Sequence, residues 1–140
     1  MICLLFAVIF NVLCFCLTYV MMPDISPLAF LSMVILVPVI YNVLIYSKTN
    51  KIFNNNIFTI ITLTGMTTLS YVLFGVITSM SGAMRLFAQR NAYSDGNISI
   101  TINENCNSLS NVIFVVLIQL CAMFVVKHMQ SRSEKYDICE

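Results

Sequence analysis

The sequence predicts an all-α, polytopic membrane protein, and three observations carry that prediction. Four long apolar runs, Met1 to Met22, Leu28 to Tyr46, Ile57 to Met80 and Leu109 to Val126, fill more than half of the 140 residues. None of the four contains Asp, Glu, Lys, Arg or His. With 59% hydrophobic residues, 9% charged and a mean hydropathy of +0.91, the chain lies outside the composition of soluble domains, in which roughly a quarter of residues are charged.

The runs hold 22, 19, 24 and 18 residues. A hydrocarbon layer of about 30 Å needs about 20 helical residues at about 1.5 Å each, so each run can span, the fourth with least to spare. A buried helix of a soluble core would show a polar outer face at helical spacing, and these runs are apolar on every side. The expected organisation is a single membrane domain, 1–140, with four transmembrane helices, an outer loop over 81–108 and a cytoplasmic tail over 127–140.

Run one lacks the basic start of a secretory signal and has no small-x-small pattern before its end, so it is read as a retained span. It stops at Met22-Pro23. Pro27 opens run two, where its fixed φ suits a first helical turn, and only Asp24, Ile25 and Ser26 lie between the prolines. Helices one and two are therefore expected to form an antiparallel hairpin. Pro38 falls inside run two, where it removes a backbone hydrogen bond, so a kink is predicted near Val34 to Pro38.

The turn from Ser47 to Asn56 is polar and ends in three asparagines, which reads as a solvated loop with Phe53 dipping toward the interface. Run three is rich in small and hydroxylic residues, and Gly75, Ser79 and Ala83 recur every fourth position. Together with Gly65 and Thr68 they are predicted to pack helices closely, within the bundle or toward another protein. After run three, Ser81 to Phe87 either prolongs the helix or lies along the interface. Asp95-Gly96 marks a turn, and Ile98, Ile100 and Ile102 alternate with polar residues, so the outer loop can build at most a short strand or hairpin.

The basic residues set the orientation. Lys48, Lys51, Lys127, Arg132 and Lys135 fall on one side of the four-span arrangement, and only Arg85 and Arg90 on the other. Placing the larger group inside puts both termini in the cytoplasm. The expected setting is a plasma membrane, by preference a bacterial inner membrane.

Three amides lie at depth: Asn11, Asn42 and Gln119. Counted from the run ends, Asn11 and Gln119 come level with Thr67 and Thr68, and Asn42 lies nearer the cytoplasmic side. A shared Asn11, Thr68 and Gln119 contact is the expected interhelical bond, since buried amides in lipid seek partners.

Catalysis and active transport find little footing. Transport and relay sites are marked by ionisable groups at depth, and none is present. Small four-helix drug exporters share this size, but they rely on a membrane carboxylate absent here. Membrane oxidoreductases that make disulfides need C-x-x-C pairs on the outer side. This chain offers Cys106 alone there and Cys14-Phe15-Cys16 inside an apolar run; with Cys3, Cys121 and Cys139 these read as small hydrophobes. His128 is the single histidine, so no metal ligand set, cofactor site or nucleophile pair is expected. Asn97-Ile98-Ser99 matches a glycosylation sequon and is read as incidental. No basic tract tracks a nucleic acid.

The expected partners are the lipid bilayer and another membrane protein or a second copy of the chain. The expected activity is non-enzymatic: helix-mediated interaction, as in an accessory subunit or an immunity or exclusion factor. Immunity proteins against pore-forming bacteriocins are similar in size and topology, an analogy of architecture only. The alternatives are a holin-like lesion protein and a small oligomeric transporter.

Overall fold

A run that satisfies its backbone polar groups without water and within itself must be helical, and the apolar runs of this chain are helical. A computed structural model describes residues 2–49, 56–95, 98–100 and 102–137. The elements are α1 Ile2–Met21, α2 Pro27–Leu31, a π-helical turn Ser32–Leu36, α3 Val37–Thr49, α4 Asn56–Met80, α5 Ala83–Arg90 and α6 Leu109–Asp137. Two three-residue segments, Tyr93–Asp95 and Ile98–Ile100, pair antiparallel with Tyr93 opposite Ile100. The fold is otherwise all-helical.

Three helical rods are long and apolar enough to cross a membrane: Pro27–Lys48 with 22 residues, Ile57–Met80 with 24 and Leu109–Gln130 with 22. The described apolar stretch of α1, Leu5–Met21, is shorter. Lys51 to Asn55 with Phe53, the Gly96 turn, the Asn97 sequon and Cys139 lie outside the described residues.

Each rod starts and stops for local reasons. Ser26 caps α2, its hydroxyl accepting from the Ala29 amide at 3.3 Å, and Pro27 follows as the first helical residue. Ahead of Pro38 the chain widens into the π turn, with the Val37 amide reaching back to the Ser32 carbonyl. One extra residue in that turn accommodates the proline within a continuous rod. At the other end of α4, Gly82 takes φ 72°, a left-handed conformation that suits glycine, and separates α4 from α5. The 81–87 stretch therefore does not prolong α4. α6 continues past the apolar window to Asp137, because Lys127 to Asp137 contains neither Gly nor Pro to stop it.

The rods run up and down in alternation, and the core is tiered along them. Ala7, Tyr46, Ile60, Leu63 and Met123 form one tier. Phe15, Val34, Tyr71, Phe74 and Val115 form the next. Met22, Met84, Phe87 and Cys106 close the end nearest α5. Outward-facing positions are apolar, for example Leu13, Leu17, Ile61, Leu69, Leu117 and Val125. The polar side chains Asn11, Thr18, Asn42, Thr67, Thr78 and Gln119 are buried. Polarity is thus inverted relative to a protein surrounded by water.

Candidate functional site

Between the first two tiers lies the densest polar chemistry of the bundle. The Asn42 amide on α3 donates to Thr67 Oγ1 on α4 at 2.7 Å and to Gln119 Oε1 on α6 at 3.0 Å. The Asn11 amide on α1 donates to the same Thr67 Oγ1 at 3.2 Å and to the Ala7 carbonyl at 2.9 Å. One hydroxyl therefore receives two amides, and all four rods meet at one node. Every residue of it is at most 2% exposed. Such bonds fix the rotation and height of each helix, because a step of one residue turns a side chain by about 100° and lifts it by about 1.5 Å.

The three amides read from sequence come together, with two changes. The hydroxyl at the hub is Thr67; the expected Thr68 donates instead to its own helix, at the Thr64 carbonyl, 2.8 Å away. Asn42 joins the node as its central donor and does not sit toward one end. α3 continues to Thr49, past the last apolar residue Tyr46, so run ends mark helix height poorly.

The predicted packing stripe on run three divides. Gly75 is buried, and a Cβ there would collide with the side chain of Asn107. Ser79 is exposed, and Ala83 belongs to α5 beyond the Gly82 break, so Gly75, Ser79 and Ala83 do not share one helical face. Gly65 is also exposed, and a Cβ there would meet no described atom within 4 Å. Pro38 is fully buried in the first turn of α3.

A second polar contact closes the α5 end of the bundle. Tyr71 Oη donates to the Cys106 carbonyl at 2.7 Å, Asn107 Nδ2 to the Val72 carbonyl at 3.1 Å, and Asn111 Nδ2 to the Cys106 carbonyl at 3.3 Å. The 102–108 segment is thereby stitched onto α4, directly over Gly75. Asn107 and Tyr71 do not stand out in the sequence. A glycine in a spanning run with several asparagines in the next loop is the one signal that points to them.

Among the described residues, charged groups meet in exposed pairs, Arg85 with Glu104 at 3.4 Å and Arg90 with Asp24 at 3.5 Å. Among the described residues no three His, Cys, Asp or Glu side chains come close enough to hold a metal. Cys14, Cys16, Cys106 and Cys121 are free thiols. Burial pushes the Cys106 thiol above its ordinary pKa.

Several buried polar atoms have no partner among the described residues: Asn11 Oδ1, Asn42 Oδ1, Tyr46 Oη, Thr64 Oγ1 and Asn107 Oδ1. Thr64 has a particular place. It lines a shallow apolar groove between α4 and α6 of about 510 Å³, together with Ile61, Gly65, Thr68, Val116 and Leu120. No protein family, curated protein or solved structure matches this chain.

Proposed function

We propose that this chain is a four-span plasma-membrane protein, both termini cytoplasmic, that acts without catalysis by receiving a helix of another membrane protein along the α4–α6 groove. The observation that carries the reading is Thr64. Thr64 lines the groove with its hydroxyl turned inward and unbonded among the described residues, and beside it Gly65 is bare enough for a second backbone to approach closely. Threonine in a helix has two accessible χ1 rotamers, so Thr64 can turn its hydroxyl to a partner's amide or hydroxyl.

The span count rests on α1. Its 20 residues reach about 30 Å, the thickness of the hydrocarbon layer, and Leu5, Leu13, Leu17 and Val20 face outward along it. Asn11 holds it at the height of Thr67, beside a rod of spanning length. Lys48 and Lys127 then fall at one membrane face and Arg85 and Arg90 at the other, which supports cytoplasmic termini. A bacterial inner membrane suits this reading. Asn11 and Asn42 spend their donors, and Gln119 its carbonyl oxygen, inside the bundle, which disfavours the lesion and oligomeric-transporter alternatives. Each of those needs a polar outer face with which to line a hole, and the outward positions of the described helices are apolar.

Photo-crosslinking tests the proposal in native membranes. A benzophenone side chain at Leu69 should capture a membrane protein that one at Leu13 does not. Capture should fall at least about fivefold in Gly65→Leu and in Thr64→Val, the loss expected for about 1 kcal/mol of helix contact, with no dye leakage from cells expressing the native chain. Equal capture from Leu69 and Leu13, or capture unchanged by Gly65→Leu, would defeat the proposal.

A further inference from the structure

On the opposite side of α4 a second groove runs along α1, and its two parts share Tyr19 and Val20. The deeper part, about 370 Å³, lies between Val12 and Phe15 of α1 and Leu73 and Ile77 of α4. The upper part, about 500 Å³, is bounded by Pro23, Leu86 and Arg90. From Pro23 down to Val12 the groove follows α1 and its closing turn for about 16 Å, against about 15 Å for one leaflet of hydrocarbon. It is apolar along its depth, and Ser70 at its wall spends its hydroxyl on the Met66 carbonyl at 3.0 Å.

Charge appears at one end only. Arg90 Nη1 lies 3.5 Å from Asp24 Oδ1, and the two side chains are 61% and 86% exposed. A pair this exposed holds together weakly, so both groups are free to re-pair with a ligand at little cost. From this we infer that the groove holds a single zwitterionic glycerophospholipid of the leaflet on the α5 side. Its phosphate sits on Arg90, its ammonium on Asp24, and one acyl chain lies between α1 and α4. Tyr19, half-exposed at the height where the helix ends, is placed where aromatic residues meet headgroups. A spanning helix has no reason to end its polarity after one leaflet, and an anionic lipid would leave Asp24 without a cation to meet.

The inference rests on membrane embedding but not on the partner proposed for the α4–α6 groove. Native mass spectrometry tests it. Purified protein in mild detergent is incubated separately with dioleoyl phosphatidylethanolamine, dioleoyl phosphatidylglycerol and dioleoylglycerol. One phosphatidylethanolamine per chain should be retained about tenfold better than dioleoylglycerol, the ratio expected for one charge-assisted contact. Arg90→Gln, an exposed substitution that leaves the core untouched, should erase that difference, and Leu73→Trp should reduce retention of all three lipids. Equal retention of phosphatidylethanolamine and dioleoylglycerol, preference for phosphatidylglycerol, no response to Arg90→Gln, or a dimer in place of the lipid adduct would each overturn the assignment.

Discussion

Thr67→Val removes one oxygen and keeps the shape of the side chain, so it isolates what the node contributes. In the native chain Thr67 Oγ1 accepts from Asn42 at 2.7 Å and from Asn11 at 3.2 Å. After substitution Asn42 keeps Gln119 and Asn11 keeps the Ala7 carbonyl, but each amide is left with one unpaired N–H inside the bundle. Interhelical bonds in membranes average about 0.6 kcal/mol and reach about 1.7, so losing two should cost about 1–3 kcal/mol. Thr68→Val is the matched control. Thr68 bonds the Thr64 carbonyl of its own helix, and that carbonyl retains its backbone donor, so the cost should stay under about 0.5 kcal/mol. Unfolding in mixed micelles of rising SDS fraction, followed by circular dichroism, gives both differences. A double-mutant cycle of Thr67→Val with Asn42→Leu should show coupling, since the two share a bond. If Thr67→Val proved as mild as Thr68→Val, the idea that one hydroxyl locks four helices would fail.

The two glycines of α4 should respond with opposite signs to the same change. Gly65→Ala meets open space and gains helix propensity, up to about 1 kcal/mol of stabilisation, whereas Gly75→Ala drives a methyl into Asn107 and should lose about 1–3 kcal/mol by the same SDS titration. Matching shifts for the two variants would remove the close contact claimed at Gly75. Burial raises the pKa of Cys106, so less thiolate is present at any given pH than at an ordinary thiol. Maleimide labelling of a variant retaining Cys106 as its sole cysteine should be slow at neutral pH and reach half its plateau rate at a higher pH than a solvent-exposed thiol does, and Gly75→Ala, by loosening the 102–108 segment, should speed it. Fast labelling at pH 7 in the native background would contradict the burial.

How much of this is legible in the sequence depends on which variable each feature obeys. Helix positions follow from the absence of charge over whole runs, a signal long enough to survive any local detail. That Asn11, Asn42 and Gln119 face inward follows equally from lipid's inability to satisfy an amide. The hub is not legible. Thr67 and Thr68 are chemically identical, and which one faces the node is a matter of about 100° of rotation that the hydrophobic pattern of an all-round apolar helix does not encode. The stripe Gly75, Ser79, Ala83 misleads for a different reason. Its spacing is helical, but Gly82 adopts a left-handed φ between the second and third members, and the face ends there. The contact that does use Gly75 comes from Asn107, far along the chain, and its only signal is the non-local pairing of that glycine with an asparagine-rich loop.

The hydroxyls of α4 give the functional argument its sharpest form. Thr62, Thr68, Ser70 and Thr78 each donate to a carbonyl one turn earlier in their own helix, which silences them as recognition groups. Thr67 is consumed by two amides. Thr64 stands between these cases, 5% exposed, its hydroxyl without a bond among the described residues, and on the wall of the groove beside a bare glycine. A hydroxyl left buried and unpaired is a standing cost that a back-bond to the Ile60 carbonyl could have relieved, as such bonds do elsewhere along the helix. Where a partner helix supplies the missing donor or acceptor, that cost turns into affinity, and the small floor at Gly65 lets the partner come close enough to supply it. The same helix thus binds its own bundle through Thr67 and, one turn earlier, leaves the Thr64 hydroxyl unbonded among the described residues, the group that the proposed partner helix would meet.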